Sequence, residues 1–413
     1  NMSSEPLVPI FDNLEFLPDP FRYGPEIVAP ELSKNKQQDY YFGLRYLISY
    51  KGSTATFNSY RREVERLLQW LWFKADLNLT DIKREHIEHY LEFSISPPTE
   101  WIGTKNVSRF KSKQGLRIAN SDWRPFVVPY NKALKLKSTA DNYAPSQKAI
   151  QSIFAILSSF FNFLIQEEFI TANPIALIRQ KSRYIQKSQN TEPVRRISNY
   201  QWDEVMRTAE NLAEQNPEQH ERTLFILNCL LGMYLRISEL VSDERSSPVM
   251  GDFRTDQDRN WWFHVIGKGN KSRMITVSNG MMSALSRYRK YLGLPELPMP
   301  GETTPLIQKN HGKGSVTSTR QIRNLVQFCF DQAYETLASK GQSNEASELK
   351  AATVHWLRHT GISEDVKIRP REHVKEDAGH SSMATTDKYI DSELRERHAS
   401  AINKTIIRQA EDS

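Results

Sequence analysis

The feature that most restricts the fold of this chain is a break in its pattern. Between about Gln180 and Arg196 the apolar periodicity disappears, charge accumulates and Pro193 acts as a breaker, so a linker is expected between two helical blocks. A length of 413 residues, too long for one comfortable core, points the same way. Before the break, Tyr60, Val64, Leu67, Leu68 and Leu71 recur at spacings of three and four, as do Ile150, Ile153, Phe154, Leu157, Phe161 and Leu164. Thr80 is expected to cap a further helix running through Ile87 and Leu91. Residues 1–36, with Pro9, Pro18, Pro20, Pro25 and Pro30, suit an extended arm better than a helix. After the break, one β excursion is expected, Trp261–Ile266 and residues 274–277 joined by the Gly267-Lys268-Gly269-Asn270 turn. Residues 320–333, 354–362, 370–378 and 394–407 read as helices.

The expected organisation is therefore an arm over 1–36, a helical domain over 37–178 with a basic insert near 101–137, a basic linker over 179–196 and a second domain over 197–413. Apolar residues at 38% and charged residues at 25% suit globular cores and exclude a wholly disordered or fibrous chain. The formal charge is +6 and the pI near 9.0, a lean toward polyanionic partners. That charge is uneven. In the insert, Lys105, Arg109, Lys111, Lys113, Arg117, Arg124, Lys132, Lys135 and Lys137 face only Asp122, and in the linker Arg179, Lys181, Arg183, Lys187, Arg195 and Arg196 face Glu192. A solubilising loop would account for the insert, but the interleaved Trp101, Phe110, Trp123 and Phe126 favour phosphate contact with partial anchoring. Cys229 and Cys329 sit in apolar stretches as small buried hydrophobes, which fits a reducing cytosol. No run reads as a membrane span and the first residues lack a signal-peptide pattern, so neither export nor membrane insertion is expected.

Breaking a phosphodiester without a metal needs a nucleophile, cationic donors around the non-bridging oxygens and an acid for the leaving alkoxide. The chain has no phosphate-cradling Gly-rich loop, no zinc-spaced His/Cys cluster and no paired acidic motif for two metals, so no cofactor or metal is implied. It does have His355-Trp356-Leu357-Arg358, where His355 and Arg358 lie one helical turn apart on one face. Ala378-Gly379-His380 follows, with Gly379 as a helix stop that would set His380 at the negative end of a helix, where the protonated ring is favoured. Tyr389 lies nine positions on; upstream stand Leu235-Arg236-Ile237-Ser238-Glu239 and the hairpin turn that continues through Lys271, Ser272 and Arg273.

This set, in this order, resembles the tyrosine recombinases, which include phage integrases and the Xer and Cre enzymes. The resemblance covers about Ile197 to the end and, more loosely, the helical domain before it. It implies a two-domain, C-shaped DNA clamp, mainly α with a small β hairpin: a helical, SAM-like core-binding domain plus a catalytic domain. It further implies that Arg236 and Arg358 clamp the scissile phosphate with planar forks, and that Lys268 protonates the leaving 5′ oxygen. Lys271 competes with Lys268, which is preferred as the first lysine of its run. His355 would take the proton of Tyr389, His380 would donate to the phosphate, and Glu239 would buttress Arg236. Tyr389 would form a 3′-phosphotyrosyl bond. Four protomers would act on double-stranded DNA with inverted-repeat core sites through a Holliday junction, with a C-terminal exchange helix near 392–409 docking on the neighbour, and with accessory proteins.

Lys105, Arg109, Lys111, Lys113, Arg117, Arg124, Arg179, Lys181, Arg183, Lys271 and Arg273 are the expected DNA-contacting residues. Two departures from the family pattern are Asp377-Ala378, where an apolar pair commonly precedes Gly-His, and Trp356 at the variable position of the His-x-x-Arg motif. The insert and arm favour a mobile-element integrase or tyrosine transposase in a bacterial cytoplasm, associated with the nucleoid. A type IB topoisomerase shares the chemistry, and a DNA-binding regulator without catalysis is the rival from another class.

Overall fold

The computed structural model describes residues 7–128, 139–178, 184 and 196–387. The chain divides into two compact units, Asn1–Gln189 and Asn190–Ser413. Both are mainly helical with small sheets.

The N-terminal unit runs through α1 (Pro25–Val28), α2 (Lys34–Ile48), α3 (Thr54–Trp70), α4 (Arg84–Ile95), strands β1 (Ile102–Gly103), β2 (Phe110–Lys113), β3 (Leu116–Ala119) and β4 (Phe126–Val127), and α5 (Gln147–Gln166). Serines cap the two longest helices: Ser53 Oγ accepts from Thr56 N in α3, and Ser146 Oγ from Ala149 N in α5. The apolar stripes of these helices supply the core, where Val64, Leu67 and Leu68 meet Leu157, Phe161 and Leu164, all fully buried. At twenty residues α5 is, by length and composition alone, apolar enough to cross a membrane, contrary to the expectation of no such run. Its buried face is part of this core.

Residues 7–33 are no loose arm. Phe11 is fully buried and stacks on Tyr40 at 4.7 Å, while buried Glu65 of α3 accepts from the amides of Ile10 and Phe11 at 2.7 and 3.1 Å. Nor is the insert an unstructured loop: β2 and β3 form an antiparallel hairpin turning at Gln114-Gly115, both at positive φ, and β1 pairs in parallel with β4. The Thr80 cap is also not observed. Leu79–Asp81 forms its own turn, closed by Asn78 N on Asp81 Oδ2 at 3.1 Å, and the helix starts only at Arg84.

The C-terminal unit comprises α6 (Asn199–Gln215), α7 (Pro217–Gly232), β5 (Phe253–Thr255), β6 (Trp261–Ile266), β7 (Ser272–Thr276), α8 (Asn279–Tyr291), α9 (Thr319–Ser339), α10 (Ser343–Ala351), α11 (Val354–Asp365), α12 (Arg371–Ala378) and α13 (Met383–Asp387). Proline at the first position of α7 occupies the one helical place where its missing N–H costs nothing. The strands form an antiparallel sheet in the order β5-β6-β7, with Val265 opposite Arg273 and Phe263 opposite Ile275. Side chains alternate across a strand, so Arg273 shares the core-facing side with Phe263, Val265 and Ile275. Both cysteines are free and buried. The expected helix over 392–409 lies outside the described residues.

Candidate active site

Four segments of the C-terminal unit converge on one cluster of charge. The first is the turn after α7, where Tyr234 adopts a left-handed φ of 51° and Arg236 opens a short 3-10 turn over Ile237–Glu239. Glu239, 2% exposed, is the hub of the cluster. Its carboxylate accepts from Arg236 N at 2.8 Å, lies 3.1 Å from Arg236 Nη1, and takes both terminal nitrogens of Arg273 at 2.7 and 3.0 Å. Burial alone would raise the Glu239 pKa, but the bonds and charges of Arg273 and Arg236 outweigh it and hold the carboxyl below its ordinary value.

The second segment is the β6–β7 hairpin. A Cβ on Gly267 would stand 2.8 Å from Glu239 Oε1, 2.9 Å from Arg273 Nη1 and 3.6 Å from Arg236 Nη1, so a larger residue here would push on this ion pair. Gly269 and Asn270 carry the turn at positive φ, and the backbone of Lys268 lies in it. The side chain of Lys268 lies outside what the structure describes.

The third segment is α11, which carries His355, Arg358 and His359. Arg358 is 6% exposed; it donates to the carbonyl of Tyr234 and, from Nη2, to that of Ala378 at 2.7 Å. These two bonds fix the plane of the guanidinium. His355 lies on the exposed side of the helix. Desolvation, with Arg323 and Arg358 nearby, holds its pKa below the ordinary value. His359 is pushed down to about 4 by burial, Arg358 and His355.

The fourth is the end of α12. Gly379 caps it in the left-handed conformation (φ 65°), as its sequence position suggested. Nδ1 of the next residue, His380, lies 2.9 Å from the hydroxyl of buried Thr386. The expectation of a protonated His380 fails. Burial, then Arg358, Arg236 and Arg273, push its pKa down to about 4, outweighing any attraction of the helix end for a proton. The same causes place His380, Arg236 and Arg358 in one electrostatic neighbourhood. Tyr389 lies outside the described residues.

The expected DNA-contacting residues sort differently. Lys105, Lys111, Lys113 and Lys271 are exposed, Lys111 lying 3.3 Å from Asp122. Arg109 and Arg117 are engaged within the unit instead. Arg109 pairs with Glu65 and lies over Trp123, and Arg117 pairs with Asp12 at 2.6 Å and lies over Phe16. Arg124 bonds the carbonyls of Ser121 and Trp123. These three neutralise buried acids or tie loops, partners that a charge count does not show. Arg273 is likewise turned inward onto Glu239. Arg179, Lys181 and Arg183 lie outside the described residues. Sequence reasoning missed the bridging roles of Arg273 and Asp377, although the alternation of Arg273, Ile275 and Val277 carried a signal for the first.

No family model matches the chain. Among curated proteins it is 24% identical to the tyrosine recombinase XerC of Chlorobaculum parvum over 59% of this chain and 68% of that protein. It is 26% identical to the tyrosine recombinase XerD of Staphylococcus saprophyticus over 60% of this chain and 73% of that protein. Among solved structures the fold is similar to XerH site-specific recombinase bound to difH substrate (TM-score 0.55, 14% identity, 91% of this chain and 86% of that one). It is similar also to a lambda integrase dimer bound to a core site (TM-score 0.50, 14% identity, 90% and 99%). With these relatives, and with the ordered residues Arg236, Lys268, His355, Arg358, His380 and Tyr389 in its C-terminal half, the chain is similar in sequence and fold to the tyrosine recombinases.

Proposed function

We propose that this protein is a site-specific DNA recombinase that breaks and rejoins strands through a 3′-phosphotyrosyl intermediate at Tyr389. The observation that carries this reading is the convergence of Arg236, Arg358 and His380 from separate segments, with the Lys268 turn brought against Arg236 by Gly267. Two oriented guanidinium groups in a partly buried site suit a phosphorane-like transition state, whose charge exceeds that of the ground-state diester. Each is expected to supply on the order of 3 kcal/mol of stabilisation.

His355, neutral at physiological pH, can accept the phenolic proton of Tyr389. His380 is neutral as well and donates one N–H to a non-bridging oxygen. Lys268, on the hairpin tip, protonates the leaving 5′ oxygen. The phosphodiester energy stays in the tyrosyl bond, so a second 5′ hydroxyl can reseal the strand without a cofactor. The exposed Lys105, Lys111, Lys113 and Lys271 would add phosphate contacts, so affinity for duplex DNA should fall steeply with salt. The finer reading is a tetramer on inverted-repeat core sites, joined through the C-terminal helix, passing through a Holliday junction with accessory proteins. It integrates or excises a mobile element in a bacterial cytoplasm.

The test is a nicked suicide duplex carrying the DNA that flanks this gene. The full chain should form a protein–DNA adduct that resists boiling in detergent, and Tyr389→Phe should form none. An adduct that persists in Tyr389→Phe would contradict the assignment. Relaxation of supercoiled plasmid without strand exchange would mark a topoisomerase instead.

A further inference from the structure

We propose that Arg273 and Asp377 are positioning residues that latch strand β7 to the end of α12, holding Arg236, Arg358 and the Lys268 turn in one register. The proposal rests on the recombinase reading above and deepens it.

Arg273 reaches both sides of the site. Its terminal nitrogens hold Glu239, which in turn holds Arg236, while its Nε donates to the main-chain carbonyl of Asp377 at 3.0 Å. The carbonyl of the next residue, Ala378, is the one that holds Arg358 at 2.7 Å. Arg358 is thus tied directly, and Arg236 through Glu239 and Arg273, to the last residues of α12. Gly379 completes the fit, because a Cβ there would stand 2.8 Å from Arg273 Cδ.

The Asp377 side chain closes the circuit. It is 4% exposed. Its Oδ1 accepts from Thr276 N at 3.2 Å, an amide on the edge strand of the sheet that faces away from β6. Its Oδ2 accepts from Arg369 Nη2 at 2.7 Å, and Arg369 Nη1 donates to the Tyr234 hydroxyl at 2.9 Å. Tyr234, whose carbonyl receives Arg358, lies two positions before Arg236. Packing alone would favour an apolar residue at Asp377, since burying a carboxylate carries a desolvation cost. Its contacts to two segments give the charge a geometric task instead: they set where β7, and the hairpin tip that β7 carries, lies along α12.

The experiment is single-turnover adduct formation by the full chain on the suicide duplex, run well below the melting temperature of each variant. Asp377→Ala removes the side-chain half of the latch. Arg273→Lys keeps a charge beside Glu239 but cannot span Glu239 and the Asp377 carbonyl together. Each is expected to slow the adduct step by about tenfold or more while the Kd for random duplex stays within about twofold, a split that marks lost transition-state geometry. The double variant should lose little more than the worse single, because both cut one connection. Thr276 amide exchange, read without catalysis, should accelerate in Asp377→Ala even where activity is lost. Adduct rates within about threefold of wild type, losses that multiply in the double variant, or unaltered Thr276 exchange would overturn the latch. A wild-type chain that forms no adduct would instead overturn the recombinase reading, and the latch with it.

Discussion

Glu239 sets the behaviour of the site at the scale of single residues. It is buried between Arg236 and Arg273, so its removal leaves two guanidinium groups facing each other without a counter-charge. Glu239→Ala is expected to destabilise the C-terminal unit by about 3–5 kcal/mol, measurable by urea unfolding; a change under about 1 kcal/mol would mean that the arginines find other partners. His355, in its proposed role as proton acceptor, is expected to govern the pH response. A proton acceptor works in its neutral form, and its pKa lies below the ordinary histidine value. The acid limb of kcat/KM for strand cleavage should therefore fall below pH 6.5. A limb at or above pH 6.5 would contradict the burial and arginine proximity that lower it.

At the scale of elements, the close approach of α11 to α7 brings Arg358 beneath the site. Gly361 makes it possible: a Cβ there would lie 2.2 Å from the Leu231 carbonyl, a backbone atom that cannot swing aside. Gly361→Ala is expected to cost about 3 kcal/mol in a melt. Gly232→Ala is the control, since its Cβ would meet the Met281 sulfur at an ordinary 3.5 Å; equal losses from the two would remove the steric argument.

Legibility from sequence follows the same divide between local and tertiary causes. Helices over 354–362 and 370–378 and the 261–277 hairpin were readable because period, glycine punctuation and turn residues are local signals. The candidate catalytic residues could be proposed from sequence because their order is a pattern. The packed arm, the inward arginines of the insert and the Arg273–Glu239 pair were not, because each depends on an acid distant in sequence: Glu65, Asp12 and Glu239. A count of exposed charge cannot see a partner that only folding supplies. His380 was misread for a related reason, since the helix end is local whereas the three arginines that depress its pKa are not.

Over the whole molecule, Asp39 in one unit and His359 and His380 in the other carry opposite pH signatures. In the N-terminal unit, Asp39 is buried and bonded to Trp72 Nε1 and Leu79 N, yet desolvation raises its pKa to about 7. Its folded form binds the proton more tightly than the unfolded chain, so its contribution is full below pH 3.8 and is lost as pH rises through about 7. In the C-terminal unit, His359 and His380 are depressed to about 4, so their contribution is present above pH 6.5 and is lost as pH falls toward 4. Hydrogen exchange followed from pH 7.5 to 5, corrected for intrinsic rates, should show protection rising in α2 and α3 and falling in α11 and α12. Asp39→Asn should flatten the first trend, and parallel responses in the two units would refute the assignment of these groups.

The most direct measurement is the chemical identity of the trapped protein–DNA link. Digestion of the adduct followed by mass spectrometry should find the nucleotide on the peptide containing Tyr389, joined through a 3′-phosphate, with a 5′ hydroxyl on the released strand. A link at another residue, or a 5′-phosphate attachment, would contradict the proposed roles of Arg236, Lys268, His355, Arg358 and His380 around a phosphate attacked by that phenol.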